Sequence, residues 1–238
     1  MDQISILSTK TLSDEQRQVF LDADFDLLEQ DFIEIKNNLF ELNTINANLI
    51  FSSQNAVLSL IEQNGWEVLK NKSVFCVGIK TKELLELNGF KVDVYMDYAS
   101  ELAEIITLIY NKESYTFLSG NLRKETLPQA LKNEGITFNE IEVYQTTLAP
   151  FKISDQEKFD GILFFSPSAV ESYLTNNKIK NEVCFCVGTT TAKTLESNKI
   201  KNIIIAETPT IEEVIVEVID YYRSPKAPEG GTEERVTV

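Results

Sequence analysis

The chain of 238 residues contains no histidine. That absence excludes a Ser-His-Asp triad, a Cys-His nucleophile pair and a zinc ion held by histidine. Any acid–base chemistry must therefore come from Asp, Glu, Tyr or Lys side chains, from backbone groups or from water.

Cysteine is scarce, with Cys76, Cys184 and Cys186 as the three in the chain. Each lies in a short apolar run that predicts a buried strand. An odd number argues against a disulfide framework. Cys184 and Cys186 would face the same side of one strand, but no further cysteine or histidine completes a set of four metal ligands. We interpret all three as small core residues and expect no metal.

Positive charge is in short supply, because 22 Lys and Arg residues stand against 37 Asp and Glu, for a net charge of −15. Nucleic acids require basic patches, and anionic membranes repel an acidic surface, so neither is an expected partner. The acidic composition does not exclude a small anionic ligand, because backbone N–H groups can bind one. No apolar run approaches the ~20 residues that span a bilayer, and no early basic and apolar segment indicates a signal peptide. The expected location is the cytoplasm.

Nucleotide-binding motifs are missing as well. No Gly-x-x-x-x-Gly-Lys-Ser/Thr pattern occurs, and no Gly-x-Gly-x-x-Gly follows a predicted strand. The sequence therefore predicts an enzyme or binding protein without a nucleotide cofactor.

An internal repeat is present. Ser53 corresponds to Ser166, 113 residues later, and Gly78 corresponds to Gly188, 110 residues later. Four similar pairs at nearly one spacing, in the same order, predict a duplicated α/β unit. The pairs are 6–9 with 117–120, 50–57 with 163–170, 73–78 with 183–188, and 98–101 with 208–211.

Ten short apolar runs predict strands, most of them separated by stretches with helical spacing. In the segment 124–135, Pro128 in the first turn and Gly135 at the end indicate a helix. The alternation predicts the α/β class, with two similar parallel-sheet domains of five strands each. The runs lie near 4–8, 32–35, 48–52, 73–77, 91–95, 115–118, 139–143, 160–165, 182–187 and 202–206.

Two polar, poorly periodic segments, 36–46 and 145–158, suggest that the chain crosses twice between the domains. One domain is then discontinuous and the other is inserted into it; two contiguous halves are the alternative. Proline, glycine and charge near the end predict a disordered tail. The predicted boundaries are 1–35 with 150–222 for the discontinuous domain, 40–146 for the inserted domain, 36–39 and 147–149 for the connectors, and 223–238 for the tail.

Several predicted strands end in small polar residues that open a helix. Such residues cap the first N–H groups of helices, and in open α/β sheets these strand ends line the ligand crevice. Helix starts that converge on one crevice suit carboxylates or phosphates. Plain helix capping is the alternative for any single residue, but recurrence in both halves favours a binding site. The candidate binding residues are Ser52, Ser53, Gly78, Ser119, Gly120, Asn121, Ser166, Pro167, Ser168, Thr190 and Thr191.

Tyr144 directly follows the predicted strand 139–143. A phenol at that place is a candidate to donate a proton to a leaving group, with packing between the domains as the alternative. Arg123 and Lys124 are candidates to pair with an anionic ligand, with a solvated surface as the alternative.

Two segments of this sequence are the most specific, the run SGNLRKETLP at 119–128 and Val-Tyr-Gln-Thr at 143–146. These two segments and several weaker ones resemble the uroporphyrinogen-III synthase family and occur in the same order as in that family, over about residues 4–222. The weaker segments are 50–57, 77–78, 164–168, 187–192 and 207–210. The sequence departs from the family at Gln54 and Asn55, where the family often has Pro-Arg or Pro-Asn, and at Thr189, where the family frequently has proline.

The resemblance implies two α/β domains joined by a two-stranded connector, with a deep cleft between them. It implies cyclisation of hydroxymethylbilane, a linear tetrapyrrole polycarboxylate, to uroporphyrinogen III in heme biosynthesis, with loss of water and inversion of the last pyrrole ring. No cofactor or metal is implied, and a monomer is expected. On this resemblance Tyr144 is the proton donor, and Ser53, Ser166, Thr190 and Thr191 hold acetate and propionate side chains.

Two other functions compete with this interpretation. A non-catalytic, two-lobed binding or sensor protein would explain the repeat and the missing histidine, but not the ordered motifs. The acidic composition is the single feature that favours an interaction scaffold, and the need for solubility explains that composition equally well.

Overall fold

A computed structural model describes residues 3–223 of the chain. In that range the strands are β1 (Ser5–Ser8), β2 (Asp26–Glu29), β3 (Ile33–Asn37), β4 (Asn48–Phe51), β5 (Ser73–Val77), β6 (Val92–Met96), β7 (Tyr115–Gly120), β8 (Phe138–Leu148), β9 (Gly161–Phe164), β10 (Val183–Cys186) and β11 (Ile203–Ile205). The α-helices are α1 (Asp14–Asp22), α2 (Gln54–Ile61), α3 (Ile79–Leu87), α4 (Ala99–Ile109), α5 (Thr126–Asn133), α6 (Pro167–Asn176), α7 (Thr189–Ser197) and α8 (Ile211–Arg223); Trp66–Asn71 forms a 3-10 helix.

The chain divides into two compact units. One contains the residues up to Ile33 and from Leu148 onward, and the other is Glu34–Thr147. The first unit has a five-stranded sheet in the order β11-β10-β9-β1-β2, in which every neighbouring pair is parallel. The chain passes from one unit to the other within β3 and returns within β8.

The second unit has a six-stranded sheet in the order β3-β8-β7-β4-β5-β6. The pairs from β8 to β6 are parallel. The Asn38 N–H donates to the Val143 carbonyl and the Ala149 N–H donates to the Phe32 carbonyl, each at 2.9 Å. Since residue numbers rise along β3 while they fall along β8, these two strands are antiparallel.

The strand orders explain the sequence repeat. Read from their outer edges, β11-β10-β9-β1 and β6-β5-β4-β7 have equivalent spatial orders, although β7 follows β6 in the chain whereas β1 precedes β9. Each similar pair of segments falls on equivalent elements, for example β4 and α2 with β9 and α6. The predicted duplication is therefore confirmed.

The central strands are buried on both faces, as expected for parallel sheets covered by helices on both sides. Along β1 and β9, successive side chains enter opposite clusters: Ile6 and Leu163 pack in one, and Leu7 and Ile162 pack in the other. The second sheet alternates in the same way, with Leu49 and Ile50 in separate clusters. Full burial of one such side chain stabilises the fold by about 1.5–3 kcal/mol.

Local signals fix the helix ends. Ser13 accepts the Gln16 N–H and its own N–H donates to the Gln16 side chain, which forms a capping box at the start of α1. In α5, Pro128 is the third residue and is buried, and Gly135 follows the helix with φ +65°. The helix predicted from Pro128 and Gly135 is therefore confirmed.

The α/β class is confirmed, but the count of five strands in each sheet is wrong. The second sheet has six strands because the strand predicted at 32–35 is β3, which pairs with β8. Its place in the first sheet is taken by β2, which the apolar runs did not predict. The β2 residues Asp26–Glu29 are half-buried or exposed at the sheet edge, so they form no continuous apolar run.

The boundaries also differ in detail from those predicted. β8 extends to Leu148, so Tyr144 lies inside this strand and does not follow it as predicted, and the beginning of the polar segment 145–158 is strand as well. Arg223, assigned to the tail, is the last residue of α8, and residues 224–238 lie outside the described residues. No helix within 3–223 is long and apolar enough to cross a membrane.

The cysteines are core residues, as predicted. All three are buried and unpaired by disulfides. Burial raises the thiol pKa of each to about 12.

Candidate active site

The carboxyl ends of β4, β5, β6 and β7 lie along one edge of the second sheet, and each is followed by a helix. Ser52 and Ser53 connect β4 to α2, and Gly78 connects β5 to α3. Ser119 and Gly120 end β7, and Asn121 follows them. Because neighbouring parallel strands end at the same edge, the fold gathers these predicted residues at one place.

A cavity of about 310 Å³ opens at this edge. The predicted residues Ser52, Ser53 and Tyr144 share its lining with Arg123 and Lys124. The lining also contains residues that no sequence pattern singled out as binding residues, and these are Val77, Asp97, Tyr98, Ala99, Phe117, Leu122 and Leu127. Gly78, Ser119, Gly120 and Asn121 lie near the cavity in the fold but are not among its lining residues.

Tyr144 and Ser53 share a hydrogen bond within the cavity, with the phenol oxygen and the serine Oγ 3.0 Å apart. The same Oγ accepts the Ala56 N–H at 3.2 Å and so caps α2. The candidate proton donor is thereby connected to a helix start through one serine hydroxyl.

A bulge in β8 sets the direction of Tyr144. Ser119 pairs with Glu142, whereas the next residue, Gly120, pairs with Tyr144, so Val143 is an extra residue on β8. The Val143 carbonyl accepts the Asn38 N–H at 2.9 Å and also the hydroxyl proton of Ser59. Ser59 is fully buried in α2.

The ring of Tyr144 lies directly on the backbone of Gly120. A Cβ built at Gly120 would stand 2.4, 2.5 and 2.8 Å from three ring carbons, closer than side chains approach one another. Glycine is therefore required here by the close approach of the ring. Its φ angle is not in the left-handed region, so strain is not the reason.

Asn121 is tied to the strand that carries Tyr144. Its side-chain oxygen accepts the Thr146 N–H at 2.8 Å, its side-chain amide donates to the Thr146 carbonyl at 3.1 Å, and its own N–H donates to the Tyr144 carbonyl at 3.3 Å. Asn121 was predicted to bind the ligand; in the structure its amide group is engaged with β8. Ser119, also predicted, is buried.

The guanidinium of Arg123 is held by two carboxylates. It donates to Glu140 through Nε and to Glu125 through Nη1. The hydrogen bond with Glu125 is the largest of the effects that raise the pKa of Arg123, and Glu140 adds to it. A guanidinium with two carboxylate partners is less suited to a ligand anion than the sequence interpretation supposed.

The equivalent edge of the first unit carries the remaining predicted residues. Ser166 caps α6 by accepting the Ala169 N–H at 3.1 Å, and Pro167 and Ser168 are the first two residues of that helix. In α7, Thr190 is exposed and Thr191 is buried.

The repeated Val-Gly turns differ in backbone conformation. Gly78 has φ +87°, a value that side chains rarely adopt, and it begins α3. Gly188 has φ 176° in extended backbone, with open space where a Cβ would stand. Glycine is required by conformation at the first turn and not at the second.

Of two residues that the sequence analysis missed, Tyr98 left a partial signal and Ser59 left none. Tyr98 opens α4, where its N–H donates to Glu101 at 3.2 Å, and it lies in the repeated segment 98–101. Ser59 gave no signal, because a polar residue inside an apolar helix pattern reads as solvent-exposed until its partner is known.

A family model described as uroporphyrinogen-III synthase HemD matches residues 23–216 of the chain. The uroporphyrinogen-III synthase of Saccharomyces cerevisiae is 26% identical over 232 residues, covering 83% of this chain and 84% of that protein. The enzyme of the same name from Chlorobaculum parvum is 27% identical over 183 residues, covering 68% and 74%.

Solved structures bear on the fold alone, because their sequence identity is low. The uroporphyrinogen-III synthetase of Helicobacter pylori superposes with a TM-score of 0.71 at 23% identity, covering 92% of this chain and all of that one. A mutant uroporphyrinogen III synthase of Thermus thermophilus gives a TM-score of 0.65 at 14% identity, covering 92% and 98%.

Proposed function

The chain belongs to the uroporphyrinogen-III synthase family, and we propose that it converts hydroxymethylbilane to uroporphyrinogen III with the cavity around Tyr144 as part of its active site. The family match over residues 23–216 carries this proposal. The alternative of a non-catalytic binding or sensor protein receives no support from the relatives, which are named as synthases.

The reaction begins when the terminal hydroxymethyl group of the substrate loses its hydroxyl, assisted by the electrons of the attached pyrrole. The resulting azafulvene is attacked by the substituted carbon of the last ring, which gives a spiro intermediate. Fragmentation and recombination of that intermediate invert the ring. The protein's main task is therefore to hold a flexible substrate so that the substituted carbon reacts before the free one.

Tyr144 is our candidate for the proton donor to the departing hydroxyl. Its phenol lines the cavity at the edge of the second sheet, and the Gly120 backbone and the Val143 bulge hold its ring in place. A fixed donor at the leaving group contributes to the rate by general acid catalysis.

The carboxylates of the substrate require hydrogen-bond donors in the binding site. The helix starts at Ser52, Ser53 and Gly78 offer backbone N–H groups and the positive end of a helix dipole. The cavity of about 310 Å³ is at the small end of the ~300–1000 Å³ typical of ligand sites, so it accommodates only part of a linear tetrapyrrole. We propose that Ser166 and Thr190 of the first unit bind other carboxylates, whereas the burial of Thr191 does not favour the binding role predicted for it.

Measuring the product isomer tests the function. Freshly generated hydroxymethylbilane closes spontaneously to the type I isomer, so an active chain yields the type III isomer above that background. Chromatography separates the two isomers. Product that stays type I at all protein concentrations would overturn the assignment and favour a binding protein or scaffold.

We also propose that the enzyme works in the cytoplasm as a monomer, without a cofactor, nucleic acid or membrane. The net charge of −15 supports the absence of nucleic acid and membrane partners, and the missing nucleotide motifs support the absence of a nucleotide cofactor. Turnover that survives a chelator and extensive dialysis, together with a sedimentation mass near 27.0 kDa, is the expected result.

A further inference from the structure

The Ser53 hydroxyl has one proton and two lone pairs. One lone pair accepts the Ala56 N–H, and the Tyr144 oxygen lies 3.0 Å from the same Oγ. Either oxygen can donate in the pair at rest. If Ser53 donates, the phenol proton of Tyr144 is left free to face the cavity.

We infer that Ser53 is a positioning residue that acts through Tyr144: its hydroxyl donates to the phenol oxygen and stabilises the phenolate that forms when Tyr144 protonates the departing hydroxyl. This inference rests on the proposed function, and it replaces the assignment of the Ser53 hydroxyl to a substrate carboxylate.

The proton transfer balances without any co-reactant. The C–O bond of the hydroxymethyl group breaks, its electron pair leaves with oxygen, and the Tyr144 proton completes a water molecule. Pyrrole electrons fill the vacated carbon while the pyrrole nitrogen keeps its proton, which gives the azafulvene as an N-protonated cation and leaves Tyr144 as the phenolate. When the ring closes, the last pyrrole loses the proton from the carbon that forms the final bond, and the phenolate takes up a proton in exchange.

The surroundings of the pair favour a donor role for Ser53. The acceptance of the Ala56 N–H polarises the hydroxyl and fixes Oγ at the amino end of α2, where the helix dipole favours negative charge. Gly120 and the Val143 bulge keep the phenol within reach of that Oγ. A hydrogen bond to a charged acceptor is stronger than one between neutral groups, so the contact tightens as the phenolate forms.

A double-mutant cycle tests the inference, using Ser53→Ala, Tyr144→Phe and the double variant. The readouts are kcat and KM for formation of the type III isomer. We expect Ser53→Ala to lower kcat about tenfold with KM unchanged, since the bond strengthens only in the transition state. In the Tyr144→Phe background, the same substitution should change kcat less than about twofold, because the phenol oxygen is gone.

Two further variants separate this role from helix capping. Ser53→Thr keeps both the hydroxyl and the cap, and it should recover most of the lost turnover. Ser166→Ala removes the equivalent cap from α6, so its melting temperature shows how much stability a lost cap alone removes. A loss of kcat in Ser53→Ala at a temperature where both variants are folded supports the inference.

The possible failures point to different errors. If Ser53→Ala lowers kcat by the same factor with and without the phenol, or raises only KM, Ser53 acts independently of Tyr144 and the inference is wrong while the function stands. Unchanged kcat in Tyr144→Phe overturns both the inference and the role of Tyr144. A wild-type chain that yields only the type I isomer overturns the function itself.

Discussion

Replacing Gly120 with alanine places a methyl carbon in space that the Tyr144 ring already fills. The nearest ring carbon would be 2.4 Å from the new Cβ, whereas ordinary contacts begin at 3.4 Å. The ring must therefore retreat by about 1.0 Å, the difference between these distances. The ring packs against a buried cluster that includes Phe51 and Leu118, and it also borders the cavity, so the retreat carries the phenol away from its present position.

This displacement is large enough to break the Tyr144–Ser53 contact. The two oxygens are 3.0 Å apart, and a further ~1 Å exceeds the range of a hydrogen bond. Forcing an extra carbon into a packed site costs about 1–3 kcal/mol of stability. A donor misplaced by ~1 Å costs up to about 100-fold in rate. We expect Gly120→Ala to fold, to melt at a lower temperature, and to lose turnover about as much as Tyr144→Phe does.

The assay is the rate of type III isomer formation, with thermal unfolding measured on the same samples. Gly120→Ala in the Tyr144→Phe background is the matched control, because the ring is equally displaced but carries no hydroxyl. The control variant should be no slower than Tyr144→Phe alone. Wild-type turnover in Gly120→Ala, or an equal fall in both backgrounds, would refute the reasoning that Gly120 acts by positioning the phenol.

Three further predictions come from the same structure. Tyr144→Phe should lower kcat for the type III isomer by at most about 100-fold and leave the melting temperature nearly unchanged, because the substrate's own electrons assist departure of the hydroxyl; unchanged kcat would remove Tyr144 from the mechanism. Gly78→Ala should lower the free energy of unfolding by about 1–2 kcal/mol, because Gly78 has φ +87°. Gly188→Ala should change it by at most about 0.5 kcal/mol, because Gly188 lies in extended backbone. Equal effects of the two substitutions in urea unfolding would contradict the difference in conformation. Burial raises the thiol pKa values of Cys184 and Cys186 from 9.0 to about 12. These groups should leave the free energy of unfolding unaffected below pH 9, and should lower it as pH rises from 9 toward 12 by up to about 1.4 kcal/mol per pH unit for each thiol. If urea unfolding shows the same slope after either cysteine is replaced with alanine, this assignment is wrong.

Much of the fold could be predicted because its signals are local or periodic. The buried strands β4, β9 and β10 are continuous apolar runs, and the repeat identified equivalent elements from the sequence alone. The edge strand β2 escaped detection because it buries little surface. The repeat itself contained a signal for it: β1 corresponds to β7, β7 is followed by a neighbouring strand, and a strand after β1 was therefore to be expected.

The candidate site was predicted less completely than the fold. Tyr144 and Ser53 were both selected as strand-end residues, but as a proton donor and a carboxylate ligand, without any relation to each other. The pairing of Arg123 with Glu140 was not foreseen, because Glu140 lies on β8, 17 residues further along the chain. Asn121 was selected for a ligand, yet its side-chain hydrogen bonds go to β8.

The sequence by itself determined the α/β class, the duplicated order of elements and the helix caps. These features depend on the hydrophobic period and on residues a few positions apart. Only the tertiary structure decided that Tyr144 meets Ser53, 91 residues away in the chain, and rests on Gly120. That meeting depends on which strands are neighbours and on a one-residue bulge at Val143, and both are set by how the whole sheet assembles.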